Sequence, residues 1–137
     1  MANLGHATGA AIPALMELLT DEDWYVRDAA ASSLGYIGPE AKIAIPALTE
    51  LLKDEWVQET AAWALGEIGP EAKRATPALT ELLKDDWVRQ TAASALGKIG
   101  PEAKRAIPAL TELLQNTDKD VRKTAAEALR KITTEKK

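Results

Sequence analysis

The chain has 137 residues, a net charge of −4 at pH 7, 46% hydrophobic residues and no cysteine. The lack of cysteine excludes disulfides, thiolate metal sites and cysteine nucleophiles, and the negative charge would repel a phosphate backbone, so we expect no nucleic acid partner. No stretch approaches the roughly 18 apolar residues of a membrane span, and the first residues lack the pattern of a signal peptide, so we expect no membrane association and a cytoplasmic location.

The sequence repeats itself about every 31 residues. Residues 43–73 and 74–104 differ at only seven positions, and related copies precede and follow them. Self-similarity at this period is the signature of a stacked repeat architecture. We expect one domain over residues 1–137, with its repeats at about residues 4–38, 39–69, 70–100 and 101–137.

Each copy begins with a helix, here called helix A, that follows a Gly-Pro step. In the third copy, Gly69-Pro70 ends one helix and offers proline at the first position of the next. Apolar residues, including Leu79 and Leu83, then recur at helical spacing. The proline within helix A, such as Pro77, predicts either a kink or the start of the regular helix.

A second helix, helix B, follows an aspartate that lies three residues before a valine. The four pairs are Asp23/Val26, Asp54/Val57, Asp85/Val88 and Asp118/Val121. Because an aspartate side chain accepts hydrogen bonds from the free N–H groups of a first turn, we expect it to be the N-cap. In the third copy an apolar stripe runs from Val88 to Ile99. Gly97 should allow close helix contact, and Gly100 should end the helix.

Neither helix could bury its apolar stripe alone, so neighbouring pairs must stack. The shared pattern D-x-x-V-R-x-x-A-A-x-A-L-G-x-I-G-P-E-A-x-x-A-I-P-A-L resembles the HEAT repeat, in particular the short HEAT-like type first associated with phycobiliprotein lyases. The resemblance extends from about Leu4 to Ile132. It implies an all-α fold, an α-solenoid (α-α superhelix) of four HEAT-like helix pairs. It implies little about activity, because a repeat fold does not dictate a function.

An aspartate and an arginine recur four residues apart in three copies. The pairs are Asp23/Arg27, Asp85/Arg89 and Asp118/Arg122. In HEAT repeats such residues form a ladder that links successive units, so the resemblance implies a structural role for them. The second copy has Gln58 in place of the arginine, which predicts an interruption of the ladder there.

The two ends of the array differ in polarity. The last copy carries Arg130 and Thr133 where the preceding copies have glycine, which is typical of a polar cap. The first copy has no such cap, and terminal repeats without a polar outer face tend to associate. We therefore expect the first copy to pair either with a second copy of the chain, as a homo-oligomer, or with another partner. Its exposed apolar residues would be Ile12, Leu15, Met16 and Trp24.

The solvent-facing positions of helix B should form the surface that binds a protein partner. HEAT-like units place helix B on the concave face, and these positions lie four residues apart along it. Acidic and aromatic residues dominate them in the first two copies, and lysines dominate them in the last two. The residues expected to contact the partner are Asp28, Tyr36, Glu59, Trp63, Glu67, Gln90 and Lys98.

Trp63 is the most informative of these residues. Its counterparts in the other copies are Ser32, Ser94 and Glu127, so the core of the repeat does not require an aromatic residue here. A large aromatic side chain on a polar face is typical of a binding anchor. The alternative is that Trp63 packs against the neighbouring helix B.

Three further tryptophans recur at the first turn of helix B: Trp24, Trp56 and Trp87. Their recurrence favours a structural role, in which each covers the seam between stacked repeats. The alternative is a row of exposed aromatic residues for recognition.

The sequence offers no constellation of catalytic or cofactor-binding residues. His6 is the only histidine, which leaves a transition metal without ligands and the serines without a base. The glycines form no phosphate-binding motif. We expect no enzyme activity, no cofactor and no metal. Three functions stand: a protein-interaction scaffold, an engineered or consensus-like scaffold without natural ligand, and a bilin lyase-like accessory subunit.

Overall fold

The computed structural model describes residues 4–134, with side chains from Gly9 onward, so the side chain of His6 and residues 135–137 lie outside the described part. Within it the chain is all-helical, with α-helices joined by turns and 3₁₀ segments. The α-helices are α1 (Leu4–Leu18), α2 (Trp24–Ile37), α3 (Ile45–Leu51), α4 (Gln58–Ile68), α5 (Thr76–Leu82), α6 (Arg89–Ile99), α7 (Ile107–Glu112) and α8 (Lys119–Thr133). The 3₁₀ segments are Gly38–Ala44, Gly69–Ala75, Gly100–Ala106 and Leu113–Gln115.

The helices stack as four successive pairs, which confirms the predicted α-solenoid. Each helix B, namely α2, α4, α6 and α8, packs directly along the next one. Contacts between successive A helices are made mainly by the 3₁₀ segments that precede them. Because the more closely packed layer of a curved stack is the inner one, we infer that the helix-B layer forms the concave side.

The internal prolines mark the start of the regular part of helix A in three of the four copies. Pro46, Pro77 and Pro108 lie in the first turn of α3, α5 and α7, each directly after a 3₁₀ segment. A first-turn residue needs no N–H for an intrahelical bond, so proline fits there. Pro13 differs, because it lies inside α1.

Glycines end each of the first three B helices, and further glycines within these helices leave room for the neighbouring helix. Gly38, Gly69 and Gly100 have φ of 80°, 90° and 82°, a backbone conformation that residues with a Cβ rarely adopt. At Gly97 an added Cβ would lie 2.9 Å from the Cα of Ala128 in α8. The predicted close approach of neighbouring B helices is therefore confirmed.

The predicted aspartate N-cap is correct for the last copy, correct only in position for the first copy, and wrong for the inner ones. Asp23 and Asp118 directly precede α2 and α8, but only the Asp118 side chain accepts a first-turn hydrogen bond, from the Asp120 N–H at 2.8 Å. In the inner copies α4 begins only at Gln58, and the Asp54 side chain accepts a hydrogen bond from the Trp56 N–H at 3.0 Å. The A–B connection is two residues shorter there, so the residues after the aspartate form the turn and the helix starts later.

The core is built from small and branched aliphatic residues of both layers. The largest fully buried side chains are Leu19, Leu34, Leu48, Val57, Leu65, Ile68, Leu79, Leu96, Ile99 and Leu110. The predicted exposure of the first copy is wrong at Ile12, which is buried. Leu15 and Met16 are half-buried and pack against the same core. The apolar stripe of α1 points inward onto α2, so less apolar surface is left at this end than expected.

Candidate functional site

The helix-B face is defined here as the outward side of α2, α4, α6 and α8. Of the seven residues expected to contact a partner, four are exposed, and Tyr36 is the most open at 80%. The other exposed ones are Glu59, Gln90 and Lys98. The remaining three, Asp28, Trp63 and Glu67, are half-buried.

Several of these side chains bond to the next helix of the layer. Thr91 Oγ1 donates to Glu59 Oε2 at 3.1 Å, and Lys98 forms an ion pair with Glu67. Gln90 Nε2 donates to the hydroxyl of Thr124 at 3.2 Å. The polar residues of the face therefore also hold α4, α6 and α8 in register.

Trp63 lies against the neighbouring helix B, which is the packing alternative raised by its sequence. Its ring fills the space above Gly35, where an added Cβ would lie 2.9 Å from Trp63 Cε3. It also meets the ring of Tyr36 edge-on, with 5.0 Å between centroids and 63° between planes. Part of the indole stays open to the face, so packing and recognition are compatible at this residue.

Two grooves adjoin this aromatic pair. The larger, of about 470 Å³, crosses α4, α6 and α8, and Trp63, Ser94 and Lys98 lie on its walls. The smaller, of about 270 Å³, lies beside Tyr36 and Trp63 and is otherwise lined by hydroxyl groups and Glu59. Trp63 therefore stands between two open polar grooves, and Tyr36 lines the smaller of them.

Three tryptophans form an exposed row, called the tryptophan rim: Trp24, Trp56 and Trp87. Trp24 begins α2, whereas Trp56 and Trp87 lie in the turns before α4 and α6, so the predicted first-turn position is wrong for these two. The exposed fractions of Trp24, Trp56 and Trp87 are 44%, 68% and 89%. Trp24 and Trp56 stack on each other, with 5.7 Å between centroids and 24° between planes. The expectation that each tryptophan covers a seam is wrong for Trp87, because almost all of its surface faces solvent.

In the described part of the chain, the predicted ladder between repeats consists of one ion pair, called the rung below. Arg27 Nε pairs with Asp54 Oδ2 of the next repeat at 3.0 Å. Arg89 and Arg122 instead donate to carbonyl groups of their own A–B connections. Gln58 does the same, because its Nε2 donates to the Leu52 carbonyl at 3.0 Å. The shared role of this position is to hold the connection, which a glutamine performs as well as an arginine.

The rung should contribute measurably to stability. We expect a double-mutant cycle of Arg27→Met and Asp54→Asn, measured by urea unfolding, to give a coupling free energy of about 1 kcal/mol, because both side chains are mostly shielded. The matched cycle of Arg89→Met and Asp118→Asn lacks the contact and should give a coupling near zero. Equal coupling in the two cycles would contradict the assignment.

The described residues contain no group of three or more His, Cys, Asp or Glu side chains placed to hold a metal ion. Between Leu4 and Thr134, none of the helices combines the length and the hydropathy that crossing a membrane requires.

Comparisons with known proteins agree with the stacked helix pairs. The family described as HEAT repeats matches residues 1–58 and 84–137, and the one described as HEAT-like repeat matches residues 55–99. A search of curated proteins finds no match.

Among solved structures, the chain is similar to engineered proteins. Two of these, from the Northeast Structural Genomics Consortium, are 31% and 34% identical, with TM-scores of 0.75 and 0.74 over 88% of this chain. A designed armadillo repeat protein is 25% identical, with a TM-score of 0.72 over 89% of this chain. The chain spans 62%, 63% and 64% of the lengths of these three proteins.

Proposed function

Because the chain belongs to the HEAT repeat family, whose stacked helices make a continuous surface, we propose that it is a scaffold that binds a protein partner on the helix-B face. The observation that carries the proposal is the aromatic pair of Tyr36 and Trp63 beside two grooves. Interface hot spots are enriched in tyrosine and tryptophan that stand among polar neighbours. Tyr36 is 80% exposed, so its burial on binding would add apolar contact that the fold does not use.

Selection from a random library of displayed peptides on the immobilised chain tests this proposal. Peptides bound on the helix-B face should bind Tyr36→Ser about tenfold more weakly, as expected for loss of a hot-spot aromatic. Ser94→Arg, which places a long side chain in the larger groove, should also weaken them.

The matched control is Ile43→Ser. Ile43 is also exposed, at 65%, but it lies in the first 3₁₀ segment, on the helix-A side. It should leave the affinity unchanged. If the selected peptides bound Tyr36→Ser and Ser94→Arg as tightly as the unaltered chain, the helix-B face would not be the binding surface.

The similarity to engineered proteins favours a second candidate, a consensus-like scaffold without a natural ligand. The near-identity of residues 43–73 and 74–104 supports it as well. Such a scaffold should yield peptides spread over all surfaces, with no preference for the helix-B face. Self-association through Leu15, Met16 and Trp24, and a role as a bilin lyase-like subunit, remain predictions from the sequence.

A further inference from the structure

A third cavity lies at the tryptophan rim, between the turns that precede α4 and α6. It encloses about 390 Å³, and Trp56 and Trp87 lie on its walls. Its other lining residues are Glu55, Gln58, Glu59, Asp85 and Val88. The pocket therefore combines two indoles with three carboxylates, and neither lysine nor arginine lines it.

The fold holds the ring of one aromatic wall of this rim pocket, Trp56, and fixes the backbone at the other, Trp87. The backbone N–H of Trp87 donates to Asp85 Oδ1 at 2.8 Å, and the backbone N–H of Trp56 donates to Asp54 Oδ1 at 3.0 Å. Trp24 stacks on Trp56 from the preceding repeat, while the pocket lies toward the following repeat. Little ordering of the Trp56 ring would therefore be needed on binding, which favours affinity.

The carboxylates of the rim pocket still have oxygens that can accept hydrogen bonds from a ligand. Within residues 4–134, Asp54 and Asp86 are paired with arginines of the chain, whereas Glu55, Glu59 and Asp85 form no ion pair. Asp85 and Glu59 each use one oxygen in the hydrogen bonds already described, to Trp87 and Thr91. The pocket is thus an uncompensated site of negative charge beside two π-faces.

A planar cation fits this combination better than any other side chain. Guanidinium stacks on an indole face, where it gains cation–π attraction, and its fork of N–H groups matches carboxylate oxygens. An ammonium group is a compact point charge that cannot use both features in the same way. Trp87 is 89% exposed, so its position is not explained by burial within the fold.

Building on the proposed scaffold function, we propose that the rim pocket binds an arginine side chain of an extended, positively charged segment of the partner protein. The guanidinium lies between Trp56 and Trp87, and Glu55, Glu59 and Asp85 accept its N–H groups. The pocket then selects the partner by charge, while the Tyr36–Trp63 pair supplies apolar contact elsewhere on the helix-B face.

Titration of the ¹⁵N-labelled chain with acetylated hexa-arginine tests the site directly. The indole N–H signals of Trp56 and Trp87, assigned by substitution, should shift saturably and by more than that of Trp63. Hexalysine should bind at least about threefold more weakly, because it lacks the planar stacking. Hexaglutamate should not shift these signals.

Variants separate the pocket from the overall charge of the chain. Trp87→Leu should weaken hexa-arginine binding about fivefold, the equivalent of about 1 kcal/mol of cation–π attraction. It should leave thermal unfolding unchanged, because the side chain it replaces is almost fully exposed. Tyr25→Leu, an exposed aromatic residue of the first repeat that lines none of these pockets, is its control.

The carboxylates have a charge-matched control. The double variant Glu55→Gln/Glu59→Gln should weaken binding more than tenfold. Glu40→Gln/Glu112→Gln removes the same charge from exposed positions outside the pocket and should change the affinity less than twofold.

Four results would each overturn the proposal: no saturable indole shift, equal affinity for hexalysine, unchanged hexa-arginine affinity of Trp87→Leu, or equal weakening by the two double variants. These outcomes are distinguishable from failure of the scaffold function. If library-selected peptides still depended on Tyr36 while Trp87→Leu bound hexa-arginine normally, the helix-B face would stand and the arginine pocket would fall.

Discussion

Truncation of Leu65 to alanine is expected to lower the free energy of unfolding by about 3–5 kcal/mol, the upper part of the range for buried leucines. Leu65 is fully buried in α4, which packs between α2 and α6 near the middle of the array. In a solenoid each repeat contacts only its neighbours, so no distant part of the fold compensates for a cavity at this position. Tight packing on both sides also leaves little room for collapse around it.

Urea unfolding followed by circular dichroism measures the effect. Leu18→Ala is the matched control, because Leu18 is 40% exposed on α1 and the same atoms are removed. Its cost should stay below about 1 kcal/mol, as for surface substitutions. Similar costs for the two variants would show that α4 is not held in the core as described.

The sequence determined the fold to a considerable depth because its copies could be compared with one another. The shared glycines predicted where B helices end and where they touch, and both predictions are confirmed at Gly97 and Gly100. The start of α4 was harder to predict. The same Asp-x-x-Val spacing occurs after connections of two lengths, and the shorter one draws Asp54 into a turn. Asp54 and Asp118 both accept from the N–H two residues on, but the connection length decides whether that N–H belongs to a turn or to the helix.

The first helix shows why an exposed face is harder to predict than a repeat. Ile12, Leu15, Met16 and Leu19 have the spacing of an amphipathic helix, so one stripe holds them all. The absence of polar cap residues in the first copy suggested that this stripe was open. The partner of α1 is α2 of its own pair, however, and that contact buries Ile12 and Leu19. Periodicity identified the apolar stripe but did not indicate which helix packs against it.

The candidate site could be predicted only in part, because the exposure of a side chain in a stack depends on the residues of the next repeat. The second copy places Trp56 against Trp24, whereas the fourth copy carries Lys119 and Asp120 where a stacking tryptophan would stand. Trp87 therefore has no aromatic neighbour in the next repeat. This signal was present in the sequence, but recurrence alone favoured the opposite interpretation.

The packing of Trp63 likewise depends on a residue of a neighbouring repeat, here the preceding one. Its singular occurrence predicted a binding anchor, while the space it fills is set by Gly35 of the preceding repeat. Because truncation of Trp63 would also disturb the packing of α2 on α4, lost binding in such a variant would not locate an interface. Tyr36, which is exposed and contacts the same ring, is the sharper probe.

The helix-B layer leads to a second strong prediction, in which one substitution has opposite effects at two positions. Glycine to alanine in a helix interior ordinarily stabilises by about 1 kcal/mol, because glycine loses more backbone entropy on folding. At Gly66 a Cβ would lie 2.9 Å from the Cα of Ala95 in α6, and backbone cannot move aside as a side-chain tip can. We expect Gly66→Ala to destabilise the chain by about 1–3 kcal/mol, the cost of overpacking.

Gly9→Ala is the matched control, because an added Cβ at Gly9 in α1 meets nothing within 4 Å. It should raise the urea midpoint, while Gly66→Ala lowers it. Adding Ala95→Gly to Gly66→Ala removes the contact between the two Cβ positions but keeps the contact with the Ala95 Cα, so stability should recover only in part. A rise in midpoint for Gly66→Ala alone would mean that α4 and α6 can separate freely. Since the grooves of the helix-B face are set by that spacing, the proposed binding surface depends on the same contact.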